Sequence, residues 1–173
     1  MTEILTATHR VNKTSESHNV LIGAIDIAHA PDRLVSVLGS CIALVLFDPF
    51  AGLAGMAHVL LPDSRGDRSG NPGKYADTAV PALIDALVSH GALRSRIQAQ
   101  FAGGARMFGA ASVATDIGTA NVRAVSAALA AAGIPVAHVD VGGGQGRKAH
   151  FDIATRRLSV LTLATTTKPG VRS

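Results

Sequence analysis

A chain of 173 residues, 47% apolar and 16% charged, has the size of one domain and enough apolar surface to bury a core, which excludes a disordered or low-complexity protein. Aromatic residues make up only 3% and tryptophan is absent, so that core is expected to consist mainly of Val, Leu, Ile and Ala. The net charge of +4 is spread from Arg10 to Arg157 without a dense basic block, and stacking aromatics are scarce; this argues against nucleic-acid binding and leaves open attraction to an acidic protein partner.

Residues 1–19 are polar, rich in Thr and Ser and without apolar periodicity, and they read as a flexible arm. They lack the basic stretch, long apolar run and small-residue cleavage site of a secretory signal, so a cytoplasmic location is expected. A single domain is expected over 20–165, with 166–173 as a tail. Strand-like runs follow at 20–27, 34–47 and 53–61, separated by the turn-forming clusters His29-Ala30-Pro31-Asp32 and Asp48-Pro49-Phe50-Ala51-Gly52. The apolar run CIALVLF at 41–47 is far shorter than the roughly 20 residues that a membrane helix needs, so no membrane insertion is expected.

The segment PDSRGDRSGNPGK at 62–74 is dominated by turn formers and reads as an exposed loop. From Tyr75 to His90, Val80, Leu83, Ile84 and Leu87 recur at helical spacing, and Gly91 can close the helix in a left-handed conformation. Pro81 fits only if this helix starts near Asp77 or Thr78, which leaves it in the first turn. A second helix is expected over about 119–132, with Val122, Val125 and Leu129 on one face and Gly133 ending it. Strands are expected at 97–102, 136–141, 150–153 and 158–163. Strands grouped early, then interleaved with helices, predict an α+β domain.

Cys41 is the chain's one cysteine, which rules out an intramolecular disulfide and any CxxC redox or zinc reading. It is either a packed core residue or a reactive thiol. It follows Leu38-Gly39-Ser40, whose small residues let the backbone turn tightly. His58 lies on the next expected strand, and a hairpin folding back between Pro49 and Phe50 sets it directly opposite Cys41, with Cβ atoms roughly 4.5 to 5.5 Å apart. A longer turn at Gly52, or a bulge, would shift this pairing. The pairing matters because the thiolate attacks a carbonyl carbon, and a neighbouring imidazole both favours the thiolate and protonates the leaving group. A third polar group usually fixes the imidazole. Ser36 and Ser40 are the local candidates, and Ser36 is the better one because it sits on the preceding strand.

The blocks VLGSCIALVLFDP around Cys41, GMAHVLLPDS around His58, NPGKYADTA at 71–79, AGGARMF at 102–108, IGTAN at 117–121 and DVGGGQGR at 140–147 resemble, in order, those of the CheD family. The resemblance implies a layered α/β sandwich with a mixed, largely antiparallel sheet core and two main flanking helices. It implies a thiol-dependent hydrolase that converts glutamines of methyl-accepting chemotaxis receptors to glutamate with release of ammonia, needing no metal or cofactor. Its catalytic pair corresponds to Cys41 and His58. The substrate would be the receptors' cytoplasmic region, and a CheC-type phosphatase would be a further partner. This chain departs from the family at two places. The family's third catalytic residue is a threonine shortly before the cysteine, where Val35 and Ser36 stand here; if Ser36 is the matching position it supplies the hydroxyl, and if Val35 is, the role is vacant. Ala120 stands where the family usually has an arginine.

Two other readings stay open at the level of sequence. The chain could be a weakly catalytic or non-catalytic regulator of a CheC-type phosphatase, or a transglutaminase-like or peptidase enzyme using the same pair. Gly103-Gly104 and Gly142-Gly143-Gly144 lack the rest of a phosphate-binding motif and read as tight backbone packing around the site. Arg147 reads as a contact for an acidic partner or as solvated surface. Lys74 and Tyr75 read as anchors for the loop after His58, and Asp77 as a helix-start residue. The six other histidines (His9, His18, His29, His90, His138 and His150) have no second ligand at metal-site spacing.

Overall fold

The computed structural model describes residues 14–106 and 116–163. Residues 1–13 of the expected arm, Met107 and Phe108 of the AGGARMF block and the tail at 166–173 lie outside the described residues. The described chain forms β1 (Ser17–Asn19), β2 (Ile25–His29), β3 (Arg33–Leu38), β4 (Ile42–Asp48), β5 (Leu53–Val59), α1 (Ala76–Ser89), β6 (Gln98–Gly103), α2 (Ile117–Ala132), β7 (Val136–Val141), β8 (Arg147–Asp152) and β9 (Arg157–Thr162). Short 3-10 turns stand at Pro72–Lys74 and Arg94–Arg96.

The strands form a five-stranded sheet ordered β2-β5-β4-β6-β7 and a four-stranded sheet ordered β1-β3-β8-β9. Only the β1–β3 and β6–β7 pairs are parallel; α2 makes the crossover between β6 and β7, as parallel neighbours require. The five-stranded sheet is the middle layer of three. Its Ile42, Leu44, Leu46, Ala57 and Val59 pack with α1 and α2. Its Ala43, Val45, Phe47, Ala54 and Met56 pack with Leu34, Leu38, Ala149 and Phe151 of the four-stranded sheet. β4 is therefore buried along its whole length on both faces, which is why its sequence is a continuous apolar run. Each Leu or Ile so enclosed contributes about 1.5–3 kcal/mol. The α+β class and the layered sandwich with two flanking helices are present as expected.

Several local expectations change. The run at 34–47 is two strands, because the chain turns at Gly39-Ser40-Cys41 and leaves one sheet for the other. The run at 20–27 becomes a strand only at Ile25; Gly23, at φ +77°, turns the segment before it. Ser17–Asn19, which the sequence places in the arm, pairs with Arg33–Val35 as an edge strand. Pro81 is also deeper in α1 than the first turn. It faces solvent, as does Asp77 four residues earlier, so water can serve the carbonyl that proline cannot. α2 starts two residues before the expected Thr119 because Asp116 caps it, accepting from the Thr119 amide at 3.3 Å.

Candidate active site

Cys41 lies in the turn that carries the chain from β3 to β4, and it is 8% exposed within the layer between the two sheets. Three donors from the far side hold this turn by its carbonyls. The Ala105 amide donates to Gly39 O at 3.0 Å, and the Gly104 amide to Cys41 O at 2.9 Å. The Asn121 side chain, from α2, donates through Nδ2 to Ser40 O at 3.0 Å. Gly103 is essential to this approach: its φ is +121°, and a Cβ there would collide with the Cys41 carbonyl. Gly103 and Gly104 thus pack backbone on backbone behind the cysteine. Gly142 is tied to Gly103 by its amide, at 2.9 Å to the Gly103 carbonyl, although a side chain there would meet only open space.

His58 does not stand directly opposite Cys41. The β4–β5 hairpin closes at Asp48 and Leu53 through a four-residue turn, so His58 opposes Ala43. The expected pairing is displaced by two residues because Gly52, at φ +60°, belongs to the turn. A shift of two preserves the face of the strand. His58 therefore points into the same inter-sheet layer as Ala43 and Cys41, a diagonal neighbour, roughly 7–8 Å between Cα atoms for such pairs.

The imidazole is 3% exposed and held at one end. Nδ1 lies 2.8 Å from Ser36 Oγ and 3.1 Å from the Val20 carbonyl. Ser36 Oγ donates to that carbonyl at 3.1 Å. With the hydroxyl proton committed to Val20, the Ser36 oxygen is left to accept, so Nδ1 carries the imidazole proton and Nε2 the lone pair. Nε2 is buried and has no hydrogen-bond partner among the described residues, so no bond joins it to the thiol in this state. Backbone bonds fix the strand as well: the Gly23 amide donates to His58 O at 2.8 Å and the His58 amide to Ala24 O at 3.1 Å.

Strand alternation settles which residue of β3 faces the imidazole. Leu34, Ser36 and Leu38 point into the layer, whereas Val37 is 54% exposed on the outer face that Val35 shares. The hydroxyl is thus on the site's face and the valine is not. Ser36→Ala is expected to lower turnover by roughly 10- to 100-fold, the usual cost of losing a group that orients a functional histidine. Ser36→Thr should retain most of the turnover. Steady-state kinetics of the two variants checks this; equal turnover in Ser36→Ala and the parent would remove the orienting role.

Burial governs the charge state of both groups. It pushes the Cys41 thiol above its ordinary value, opposed in part by the cysteine's own backbone amide. It pushes the His58 imidazole below its ordinary value, opposed in part by the Val20 carbonyl. Both shifts disfavour the charged forms, so burial favours a thiol and a neutral imidazole over a preformed ion pair.

The other sequence candidates fall around this centre. Arg147 is not a surface contact: it is buried, and its guanidinium donates to the Asp140 carboxylate at 2.7 Å and to the Asp140 and Gly142 carbonyls, clasping its own loop. Asp77, in the first turn of α1, accepts from the Ser64 amide and hydroxyl at 3.0 and 2.6 Å and so holds the loop that follows β5. Lys74 and Tyr75 anchor the far end of that loop, since Leu60 and Leu61 donate to the Lys74 carbonyl and Leu61 bridges to Tyr75. Among the described residues, no group of three or more His, Cys, Asp and Glu side chains could hold a metal. No helix among them is long and apolar enough to cross a membrane.

Two participants escaped the sequence reading. The Val20 carbonyl is a backbone group on a separate turn, and nothing in its side chain announces it. Asn121 is a fully buried amide whose Nδ2 reaches Leu60 O as well as Ser40 O, both at 3.0 Å. Its signal was available, as a polar residue on the apolar face of a helix beside Val125, one turn on.

The family model described as CheD chemotactic sensory transduction matches residues 60–162. Proteins named "Probable chemoreceptor glutamine deamidase CheD" are similar over more of the chain. The one from Symbiobacterium thermophilum is 46% identical over 149 residues, 82% of this chain and 90% of the relative. That from Methanococcus vannielii is 44% identical over 128 residues, 74% of this chain and 83% of the relative. That from Geobacillus kaustophilus is 40% identical over 157 residues, 87% of this chain and 95% of the relative. A match covering so much of the chain cannot leave out residues 36 to 58, wherever it starts. With the ordered blocks and the three-layer fold around a buried Cys–His neighbourhood, these matches place the chain in the CheD family.

Proposed function

We propose that this protein deamidates particular glutamine side chains in the cytoplasmic region of chemoreceptors, with Cys41 as nucleophile, His58 as base and acid, and Ser36 as the group that orients His58. The observation that carries this is the half-held imidazole: Nδ1 is occupied by Ser36 and Val20, while Nε2 is bare and buried on the face that also holds the chain's one cysteine. The name borne by the relatives supplies the substrate.

Chemically, Nε2 takes the thiol proton as Sγ bonds to the carboxamide carbon, and the carbonyl oxygen becomes an oxyanion. The imidazolium then gives that proton to the departing nitrogen, and ammonia leaves as the C–N bond breaks and a thioester forms. Water attacks the thioester with His58 again as base, the C–S bond breaks, and glutamate and the free thiol are restored. A neutral starting pair suits this sequence, because the imidazole must begin unprotonated.

The test is mass spectrometry of a receptor cytoplasmic fragment incubated with the protein. The expected result is the mass gain of an amide-to-acid exchange at discrete glutamines, abolished by prior alkylation of Cys41. No gain, or a gain indifferent to alkylation, overturns the proposal. Incorporation of an added amine in place of water would point instead to a transglutaminase-like enzyme. The regulator-only reading rested on the missing threonine, and the Ser36 hydroxyl on the site's face weakens that ground. Binding to a CheC-type phosphatase is compatible with catalysis and would be measured separately by titration calorimetry.

A further inference from the structure

We infer that Asn121 is a positioning residue for the oxyanion step: by holding the Ser40 carbonyl, it aims the Cys41 amide at the oxygen of the substrate carboxamide. This rests on the deamidase reading above. The peptide unit is planar and trans, so the Ser40 carbonyl and the Cys41 N–H point in opposite directions. Whatever fixes one fixes the other. Asn121 Nδ2 holds the carbonyl from the helix side at 3.0 Å, so the Cys41 N–H is turned toward the opposite side. The same rule applies one residue earlier, where the Ala105 amide holds the Gly39 carbonyl and thereby turns the Ser40 N–H. Neither the Ser40 nor the Cys41 amide donates to another backbone carbonyl among the described residues.

The side chain itself indicates a donor's role. Both of its contacts are carbonyl oxygens, so the orientation of the amide is unambiguous: the NH2 end faces Ser40 and Leu60. Its Oδ1 is buried with no hydrogen-bond partner among the described residues, a cost that a purely structural amide usually avoids. The second contact also matters, because Leu60 lies two residues beyond His58. One amide thus ties the nucleophile's turn to the end of the strand that carries the base. Preorganised N–H donors of this kind commonly account for about 10²- to 10³-fold of turnover in acyl transfer.

The experiment compares two reactions of Cys41. Deamidation builds an oxyanion; alkylation by iodoacetamide occurs at a tetrahedral carbon and builds none. Asn121→Ala is expected to lower kcat for deamidation by about 10- to 100-fold, with KM within about threefold, because a misaimed donor loses part of that contribution. Its alkylation rate, measured at a pH high enough that Cys41 is fully thiolate, should stay within about twofold of the parent, since alkylation builds no oxyanion for the donor to meet. An unchanged kcat, or deamidation and alkylation falling together, overturns the inference. Asn121→Asp keeps the shape and decides the matter if the alanine variant does not fold, which circular dichroism would reveal. Its carboxylate repels both carbonyls, whereas its protonated form offers one donor. The ratio of its kcat to the parent's should therefore rise as pH falls, and a flat ratio overturns the inference. A parent protein without deamidase turnover removes the underlying reading and this inference with it; a parent that turns over beside an equally fast Asn121→Ala removes the inference alone.

Discussion

Cys41→Ala is expected to reduce receptor deamidation to the uncatalysed background, a loss of roughly 10⁶-fold if Cys41 carries the covalent step as nucleophiles do in comparable hydrolases. No other thiol exists in the chain to take its place. The variant should remain folded, because the turn is held by its carbonyls and not by the sulfur, and the alanine leaves a gap of one atom in the inter-sheet cluster. A cost of about 1 kcal/mol is the ordinary scale for such a change. Mass spectrometry of the receptor fragment gives the activity, and a urea titration gives the stability. Retained turnover in a folded variant would exclude the thiol mechanism.

His58→Gln is expected to cost about 10²- to 10⁴-fold in turnover, the usual contribution of a positioned general base and acid. It also carries a signature in pH. Burial holds the folded-state imidazole below its ordinary value. On acidification the unfolded chain takes up a proton at this residue before the folded one does, so folding loses free energy as pH falls from the ordinary imidazole range through the folded value. Above that range the contribution is fully present. The denaturation midpoint of the parent should therefore drop more between pH 8 and pH 5 than that of His58→Gln. The acid limb of kcat/KM in the parent should lie below the ordinary imidazole range, since protonation removes the base. Superimposable pH–stability curves for parent and variant would mean that the imidazole is not held neutral.

The parts of this site legible in the sequence were those encoded by side-chain identity and strand period. The single cysteine, the histidine on the following strand and the serine one strand earlier all face one layer. The expected pairing of Cys41 with His58 was displaced by two residues because turn length is set by backbone conformation at Gly52, to which apolar alternation is blind. The same alternation explains why the error did no harm, since a displacement of two keeps the imidazole on its face. Residues 34–47 looked like one strand because both halves are apolar; only long-range bonds from Gly104, Ala105 and Asn121 reveal that the chain changes sheets at Cys41. Arg147 looked like a surface cation because its partners, Asp140 and the carbonyls of its own loop, come together only when β7 and β8 are in place.

Ser36 and His58 belong to different sheets, and the short bond between them spans the apolar layer that glues those sheets together. The thickness of that layer is set by Leu34, Leu38, Met56 and Phe151, none of which touches chemistry. Their bulk acts as a spacer gauge for the proton on the imidazole. A core residue trimmed or enlarged here would change the spacing between Ser36 and His58, so the packing of this interior and the hydrogen bond at Nδ1 are coupled.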